Sequence, residues 1–505
     1  SDIELDGSNL TFSVTVTNTG SVAGKDVVEI YFNPPYTNGG IEKASANLLD
    51  FAKTKELAAG AEETVKFSIP LEQLASYDYL GEGCYVLDEG EYVISANSDS
   101  HTALDSRVYT VGAKVVYGED NKRESDDVAA VNHFDYASGG LTFLSRADSF
   151  ANYSEAVAAP VSYEMPEEYK AGFDNGYTYA SDGYKKDEDA SASPITTGAK
   201  NGLKLADMRG LSYDDPKWDK LLDQLTLEDM QSVIGYGGYQ TAAVDSVGKI
   251  RTNDCDGPAS INNNFTGVGS VGFPAATLIA ATWSDEMAYA FGDSIGTMAN
   301  EMDTPGWYAP GANIHRTPFG GRNPEYYSED PVLTGRTAAA ITRGVQAHPG
   351  RGVSIKHFAA NNQEDNRYHT NAHVSERAMR EIYLRGFEIC IREASPYAVM
   401  TSYNLLNGEH TSQRRDLNED ILRAEFGFDG LVMSDWIVGS MMGKSSKYES
   451  PQAWKVALSG NDVLMPGSKK DLENLRRALA DGRITRERLE INISRLARLS
   501  NRIQP

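Results

Sequence analysis

Cysteine is scarce in this sequence. Cys84, Cys255 and Cys390 are odd in number and far apart along 505 residues, which excludes a disulfide framework and a closely spaced zinc motif. Positive charge is short as well: 47 Lys and Arg face 72 Asp and Glu, a formal net charge of −25. That balance argues against nucleic acid or an anionic membrane as partner, because either needs a basic footprint. No apolar run approaches the roughly 20 residues of a membrane span. Ser1, Asp2, Glu4 and Asp6 do not read as a signal peptide, and the chain does not begin with Met, so Ser1 is not expected to be the original start. What remains is a composition 40% hydrophobic and 24% charged, able to bury a core. At roughly 150 residues per domain the length suggests about three domains in a soluble acidic protein.

Residues 1–112 read as an all-β module. Leu10, Phe12, Val14 and Val16 alternate with Thr11, Ser13, Thr15 and Thr17, the period of a half-buried strand. After the turn at Asn18-Thr19-Gly20 comes a β-rich run from Val27 to Phe32. Val65, Phe67 and Ile69 alternate after Ala59-Gly60, and Tyr92, Ile94 and Ala96 after Gly90. Short strands separated by turns indicate a sandwich. Over 113–215 the pattern weakens into acidic clusters among Tyr, Gly and Ser, which form either a solvated linker or an arm folded against a neighbour. From 216 to 505 helical and strand patterns alternate. Asp330-Pro331 predicts an N-cap with proline at the first helical position, followed by a buried stripe of Leu333, Thr337, Ala340, Ile341, Gly344 and Val345. Ser375 predicts a second cap, with Val374 stapled to Met379. Repeated strand-helix alternation over nearly 300 residues predicts a (β/α)₈ TIM-type barrel.

Four predicted strands end in polar or unusual residues: Val353 to Ile355 runs into Lys356-His357, Ala398 to Met400 into Ser402-Tyr403-Asn404, Leu431 to Met433 into Ser434-Asp435-Trp436, and Val463 to Met465 into Pro466-Gly467. A barrel gathers such ends at one mouth, where its chemistry is done. A carboxylate, an ammonium, an imidazole, a phenol and an indole together suit a neutral polyhydroxylated ligand. Each residue also has a plainer reading: Asp435 as a helix cap, Trp436 as a core indole, Asp256 as a turn former before Gly257-Pro258, Lys356 as half of a buried ion pair, His357 as a core histidine, and Tyr403 as a packing phenol. Asp254-x-Asp256-Gly257 lacks the spacing and distal Glu of a calcium loop. "GYGGY" and "FGGRN" lack the Lys-Ser/Thr of a phosphate loop.

The segments "VTNTGSVAGKDVVEIYF", "KELAAGAEETVKFSI" and "EGEYVISANS" resemble the fibronectin type III-like domain of glycoside hydrolase family 3. "TNDCDGP", "RTPFGGRNPEYYSEDPVLTG", "IKHFAANNQEDNR", "VMTSYNLLNG" and "GFDGLVMSDW" resemble that family's barrel motifs in order, and "LADGRITRERLEINISRLARL" is similar to its terminal helices. The resemblance implies a retaining exo-β-glycosidase acting on terminal β-D-glucosyl residues of β-glucosides or short β-linked oligosaccharides. It makes Asp435 the nucleophile, with Asp256, Arg322, Lys356 and His357 as hydroxyl ligands and Trp436 as a subsite wall. Tyr403 would orient Asp435, and Arg367 would brace Asp435 or its neighbours. The two-carboxylate mechanism calls for no cofactor or metal. "KHFAANNQ" departs from the "KHFPGHG"-like segment of the family's N-acetylglucosamine branch, and His369 and His373 read as surface or structural.

Domain order is the departure. Family members of the glucosidase type resemble barrel, then α/β sandwich, then fibronectin-like domain, and the sandwich typically brings the general acid/base Glu. Here the fibronectin-like domain comes first, and no doubly wound pattern precedes 216. The expectation is a permuted order, with the α/β sandwich upstream of Ser1 or on a companion chain and the acid missing from this one. Glu164, Glu167 or Glu168 in the arm form the weaker alternative. β-Xylosidase or α-L-arabinofuranosidase activity and a non-catalytic carbohydrate-binding protein are the rival readings. A homo-oligomer stays open. The expected location is the cytoplasm, or outside the cell if a missing N-terminus carried a leader.

Overall fold

The computed structural model describes residues 1–134, 141–158, 197–212, 214–437 and 450–503. The period-2 alternation near the start becomes the strand Asn9–Thr17, paired antiparallel with Glu62–Pro70 so that Leu10 faces Ile69, Phe12 faces Phe67 and Val14 faces Val65. Glu4–Asp6 adds an edge strand. Against this sheet lies a second one, in the spatial order Asn47–Lys53, Val27–Asn33, Gly90–Asp99, Thr102–Val111. Leu10, Phe67 and Ile69 from one sheet and Ile30, Phe32 and Ile94 from the other share a single buried cluster, as two half-apolar faces require. A further strand, Val115–Tyr117, pairs with Cys84–Leu87, which also pairs with Ser76–Asp78.

The described arm is packed in places, around 123–134 and at Leu205 and Met208, while 141–158 is mostly exposed. Arg123 is buried and makes two bonds to Asp126, at 2.8 and 2.7 Å, and one to Glu388 on a barrel helix at 3.0 Å. The backbone N–H groups of His133 and Phe134 donate to the Glu376 carboxylate at 2.8 and 2.6 Å. Residues 197–212 join the barrel: Ala199 N–H bonds the Asp223 carbonyl, and Leu205 and Met208 enter the core beneath Arg486–Ile503. Glu164, Glu167 and Glu168 lie outside the described residues.

Five parallel strands form the barrel sheet in chain order: Gly306–Trp307, Gly352–Phe358, Ala398–Thr401, Leu431–Trp436 and Val463–Met465. The remaining arc lies outside the regular strands. Gly237 and Gly238 donate to the Leu464 and Pro466 carbonyls at 2.9 and 3.2 Å, Asp254 to Tyr239 at 3.0 Å, and Cys255 to Gly306 at 2.9 Å. The regular eightfold repeat expected from sequence is therefore irregular among the described residues. A Cβ at Gly238 would meet Pro466 at 2.9 Å, and Tyr239 adopts a left-handed φ of 51°, so this arc reaches its neighbour as a glycine turn instead of a pleated strand.

The helix Pro331–Gln346 starts as the sequence predicts, with Asp330 Oδ1 accepting from Val332 and Leu333 N–H at 2.8 and 3.1 Å. Its stripe from Leu333 to Val345 is buried. Ser375 caps the next helix by accepting from Ala378 N–H, and Val374 and Met379 lie in one core cluster. No described helix is long and apolar enough to cross a membrane.

Candidate active site

The strand ends converge. Asp256, Arg322, Lys356, His357, Arg367, Tyr403, Asp435 and Trp436, the eight residues singled out from sequence, all line one cavity of about 350 Å³. That volume is at the small end of ligand sites, which run from roughly 300 to 1,000 Å³. Lys356 and His357 close the strand Gly352–Phe358, and Asp435 and Trp436 close Leu431–Trp436. Asp256 arrives on the irregular arc, and Arg322 on a turn that leads into the short helix Asn323–Glu325.

Opposite charges are interleaved around the cavity. Lys356, only 2% exposed, donates from Nζ to Asp256 Oδ1 at 2.5 Å and stands 3.6 Å from Glu325 Oε1. Burial works against the ammonium, but Asp256 and Glu325 outweigh it and hold its pKa above the usual lysine value. Burial likewise lifts the Asp256 carboxyl, and Lys356 more than reverses that, leaving it below the usual carboxylate range. Lys356 is thus both the buried ion pair of the plainer reading and a cavity wall. Arg322 forks onto Glu325 with two bonds of 2.7 Å, and its Nη2 also lies 3.0 Å from His357 Nε2. Burial, together with Arg322, Lys356 and Arg367, pushes the imidazole well below the ordinary histidine value. His357 is neutral.

Asp435 is the carboxylate that stands apart. Its Oδ1 accepts the Trp436 N–H at 2.7 Å. Its Oδ2 is buried, has no hydrogen-bond partner among the described residues, and lies 3.5 Å from His357 Nε2. Burial raises the pKa of Asp435, while Arg322, the Trp436 N–H, Lys356 and the Tyr403 hydroxyl resist the rise. Arg367 bonds Glu364 and the Tyr368 hydroxyl, at 3.2 and 3.0 Å, and lies over the rings of Tyr403 and Tyr368 at 4.8 and 4.9 Å. Trp436 stacks on Phe265 with centroids 5.5 Å apart and leans on Tyr239 at 5.3 Å, so three aromatic rings line one side of the cavity.

The sequence reading did not single out Glu325, Tyr326, Tyr239 or Phe265. Glu325 and Tyr326 lie three and four residues after Arg322, inside a stretch whose motif marks the turn without saying which carboxylate pairs with Arg322. Tyr239 and Phe265 occupy irregular backbone with no periodicity to read. His369 and His373 are not among the cavity-lining residues. No group of three or more His, Cys, Asp or Glu side chains among the described residues is placed to hold a metal ion. The arrangement offers donors and acceptors on several sides, a stacking face, and one carboxylate outside the Lys356 and Arg322 pairs.

Residues 261–499 match the Glycosyl hydrolase family 3 N terminal domain, and residues 26–100 match the Fibronectin type III-like domain. Beta-glucosidase A of Butyrivibrio fibrisolvens is 32% identical over 467 residues, covering 90% of this chain and 53% of that protein. A beta-glucosidase of Ruminococcus albus is 33% identical over 501 residues, covering 94% of this chain and 48% of that protein. The crystal structure of a beta-glucosidase from Paenibacillus barengoltzii superposes with a TM-score of 0.78 at 27% identity, covering 99% of this chain and 54% of that one. The chain spans about half the length of the curated relatives it matches.

Proposed function

The chain belongs to glycosyl hydrolase family 3, and from that premise we propose that it is the barrel-bearing part of a retaining, exo-acting β-glucosidase. The supporting observation is the convergence of eight residues from separate strand ends and turns on one cavity, with Asp435 the carboxylate not claimed by a buried cation. In this reading a terminal β-D-glucosyl residue of a β-glucoside or short β-linked oligosaccharide enters with its hydroxyls toward Asp256, Lys356, Arg322 and His357. Trp436 covers the apolar face of the ring.

Asp435 attacks the anomeric carbon as the bond to the leaving oxygen breaks, forming a covalent glycosyl ester that water then hydrolyses. Tyr403, buttressed by Arg367, orients the nucleophile. Of the neighbouring carboxylates, Asp256 and Glu325 are engaged by Lys356 and Arg322, and Glu364 by Arg367. On the family resemblance, the proton for the leaving oxygen is assigned to a Glu on an α/β sandwich domain upstream or on a companion chain, with Glu164, Glu167 or Glu168 of the arm as the weaker alternative.

Incubation with a 2-deoxy-2-fluoro aryl β-glucoside, followed by peptide mass spectrometry, tests this. A glycosyl adduct on Asp435 is expected, and its loss in Asp435→Asn together with loss of turnover on an activated aryl β-glucoside. An Asn variant that still turns over the aryl glucoside overturns the assignment. The engagement of these carboxylates favours one second reading, a carbohydrate-binding barrel without catalysis, for which sugar binding with no adduct is the signature.

A further inference from the structure

Glu325 holds a position that the glucosidase reading leaves without a role. It ends the short helix Asn323–Glu325, and its carboxylate takes both Arg322 Nε and Nη2 at 2.7 Å, a planar fork that fixes the guanidinium. Its Oε1 is also 3.6 Å from Lys356 Nζ. These two cations come from different elements, Arg322 from the turn and Lys356 from a strand end. Both line the cavity, and Arg322 additionally reaches His357 Nε2. One carboxylate behind the cavity wall thus ties together three of the groups that face it.

We propose that Glu325 is a positioning residue for sugar binding: it locks the Arg322 guanidinium in the plane that reaches His357 and the cavity, and it keeps Lys356 charged beside Arg322. The proposal rests on the glucosidase reading. Buried cations near one another destabilise each other unless an anion stands between them. Asp256 supplies one such anion on the cavity side and Glu325 the other from behind. Burial and the Arg322 charge both favour loss of the Lys356 proton, while Asp256 and Glu325 oppose it. Removing Glu325 therefore lets Lys356 deprotonate at lower pH and frees Arg322 to swing out of plane.

The test is calorimetric titration of D-glucose into the whole chain across pH 7–11.5, a range that reaches past the ordinary lysine value, with wild type, Glu325→Gln and Glu325→Asp. Gln keeps the shape and an acceptor but not the charge. It is expected to weaken glucose binding by about tenfold and to move the alkaline limb of the affinity profile about one pH unit lower. Asp keeps the charge on a shorter arm, so it is expected to weaken binding while leaving the alkaline limb in place. It carries the test alone if the Gln variant does not fold: an Asp variant with wild-type affinity overturns the geometric role. A Gln variant with wild-type affinity and an unmoved alkaline limb overturns the proposal. Wild type that binds no glucose and takes no label on Asp435 overturns instead the glucosidase reading on which it rests.

Discussion

Arg322 Nη2 and His357 Nε2 lie 3.0 Å apart, and the direction of that bond decides where the imidazole carries its proton. A guanidinium has only donors, so Nε2 accepts. A neutral ring then carries its hydrogen on Nδ1, which donates to the Tyr326 hydroxyl at 3.0 Å. The 3.5 Å approach of Asp435 Oδ2 to the same Nε2 is accordingly no ion pair. Arg322 and Lys356 hold down the carboxyl's pKa through space without forming an ion pair with it.

Histidine-selective ¹⁵N spectra should therefore show His357 as the Nδ1–H tautomer from pH 8 down to pH 5, with no titration near its ordinary value of 6.5. Because the folded pKa is depressed, the unfolded chain binds this proton first. Stability is lost as pH falls below about 6.5, by up to roughly 1.4 kcal/mol per pH unit for this group. Titration of His357 between pH 6 and 7 would contradict the assignment.

Asp330 behaves in the opposite sense. Burial pushes its carboxyl up to about 6, against the help of the Leu333 and Val332 N–H groups it caps. With the folded value above the unfolded 3.8, the native state gains the proton first, so this residue costs stability at neutral pH and the cost is relieved as pH falls from about 6 toward 4. Asp330→Asn keeps the capping oxygen without the charge and should melt no lower than wild type at pH 7. Asp330→Ala should lose about 1 kcal/mol. Scanning calorimetry separates the two, and equal damage from both would refute the argument.

Arg380 ties the arm to the barrel. It donates to Glu376 at 2.9 Å, to Glu425 Oε1 at 3.0 Å and to the Val131 carbonyl at 2.7 Å, and is almost fully buried. Arg380→Met leaves two buried carboxylates without this partner, a loss of about 3–5 kcal/mol. Limited proteolysis should cut between residues 118 and 134 faster in the variant. An unchanged digestion pattern would mean that the arm is held elsewhere.

Phe265 is 73% exposed yet stacks on Trp436. Its tip is built: the Asn263 side chain accepts from the Phe265 and Thr266 N–H groups at 3.0 and 3.1 Å. Phe265→Ala should leave the melting temperature within a degree or two of wild type and raise KM for an aryl β-glucoside about fivefold, the worth of one aromatic pair near 1 kcal/mol. The discriminating measurement is a side-by-side KM for aryl and methyl glucosides. A larger effect on the aryl glucoside would place Phe265 against the aglycone, whereas equal effects would confine it to the sugar ring.

Local chemistry was legible in the chain. The alternation from Leu10 to Val16 could only be a half-buried strand. Asp330-Pro331 could cap a helix with no help from distant residues. Asp435, Lys356 and His357 stood out because a polar residue at the end of an apolar parallel strand has one mouth to face. Glu325 was not legible, because its meaning depends on Lys356, which lies 31 residues away in sequence and 3.6 Å away in space.

The sequence by itself determined the strand alternation from Leu10 to Val16, the helix start at Asp330-Pro331, and Lys356, His357, Tyr403, Asp435 and Trp436 as polar or aromatic groups at strand ends, since each follows from side-chain period and short-range hydrogen bonding. The tertiary structure alone decided that the arm is packed around Arg123 and Arg380, that the ring closes through Gly237 and Gly238 instead of another pleated strand, and that Asp256 is spent on Lys356 while Asp435 keeps an unbonded oxygen. Charges and close backbone approaches act through space. Their partners are chosen by the fold, after the local rules have finished.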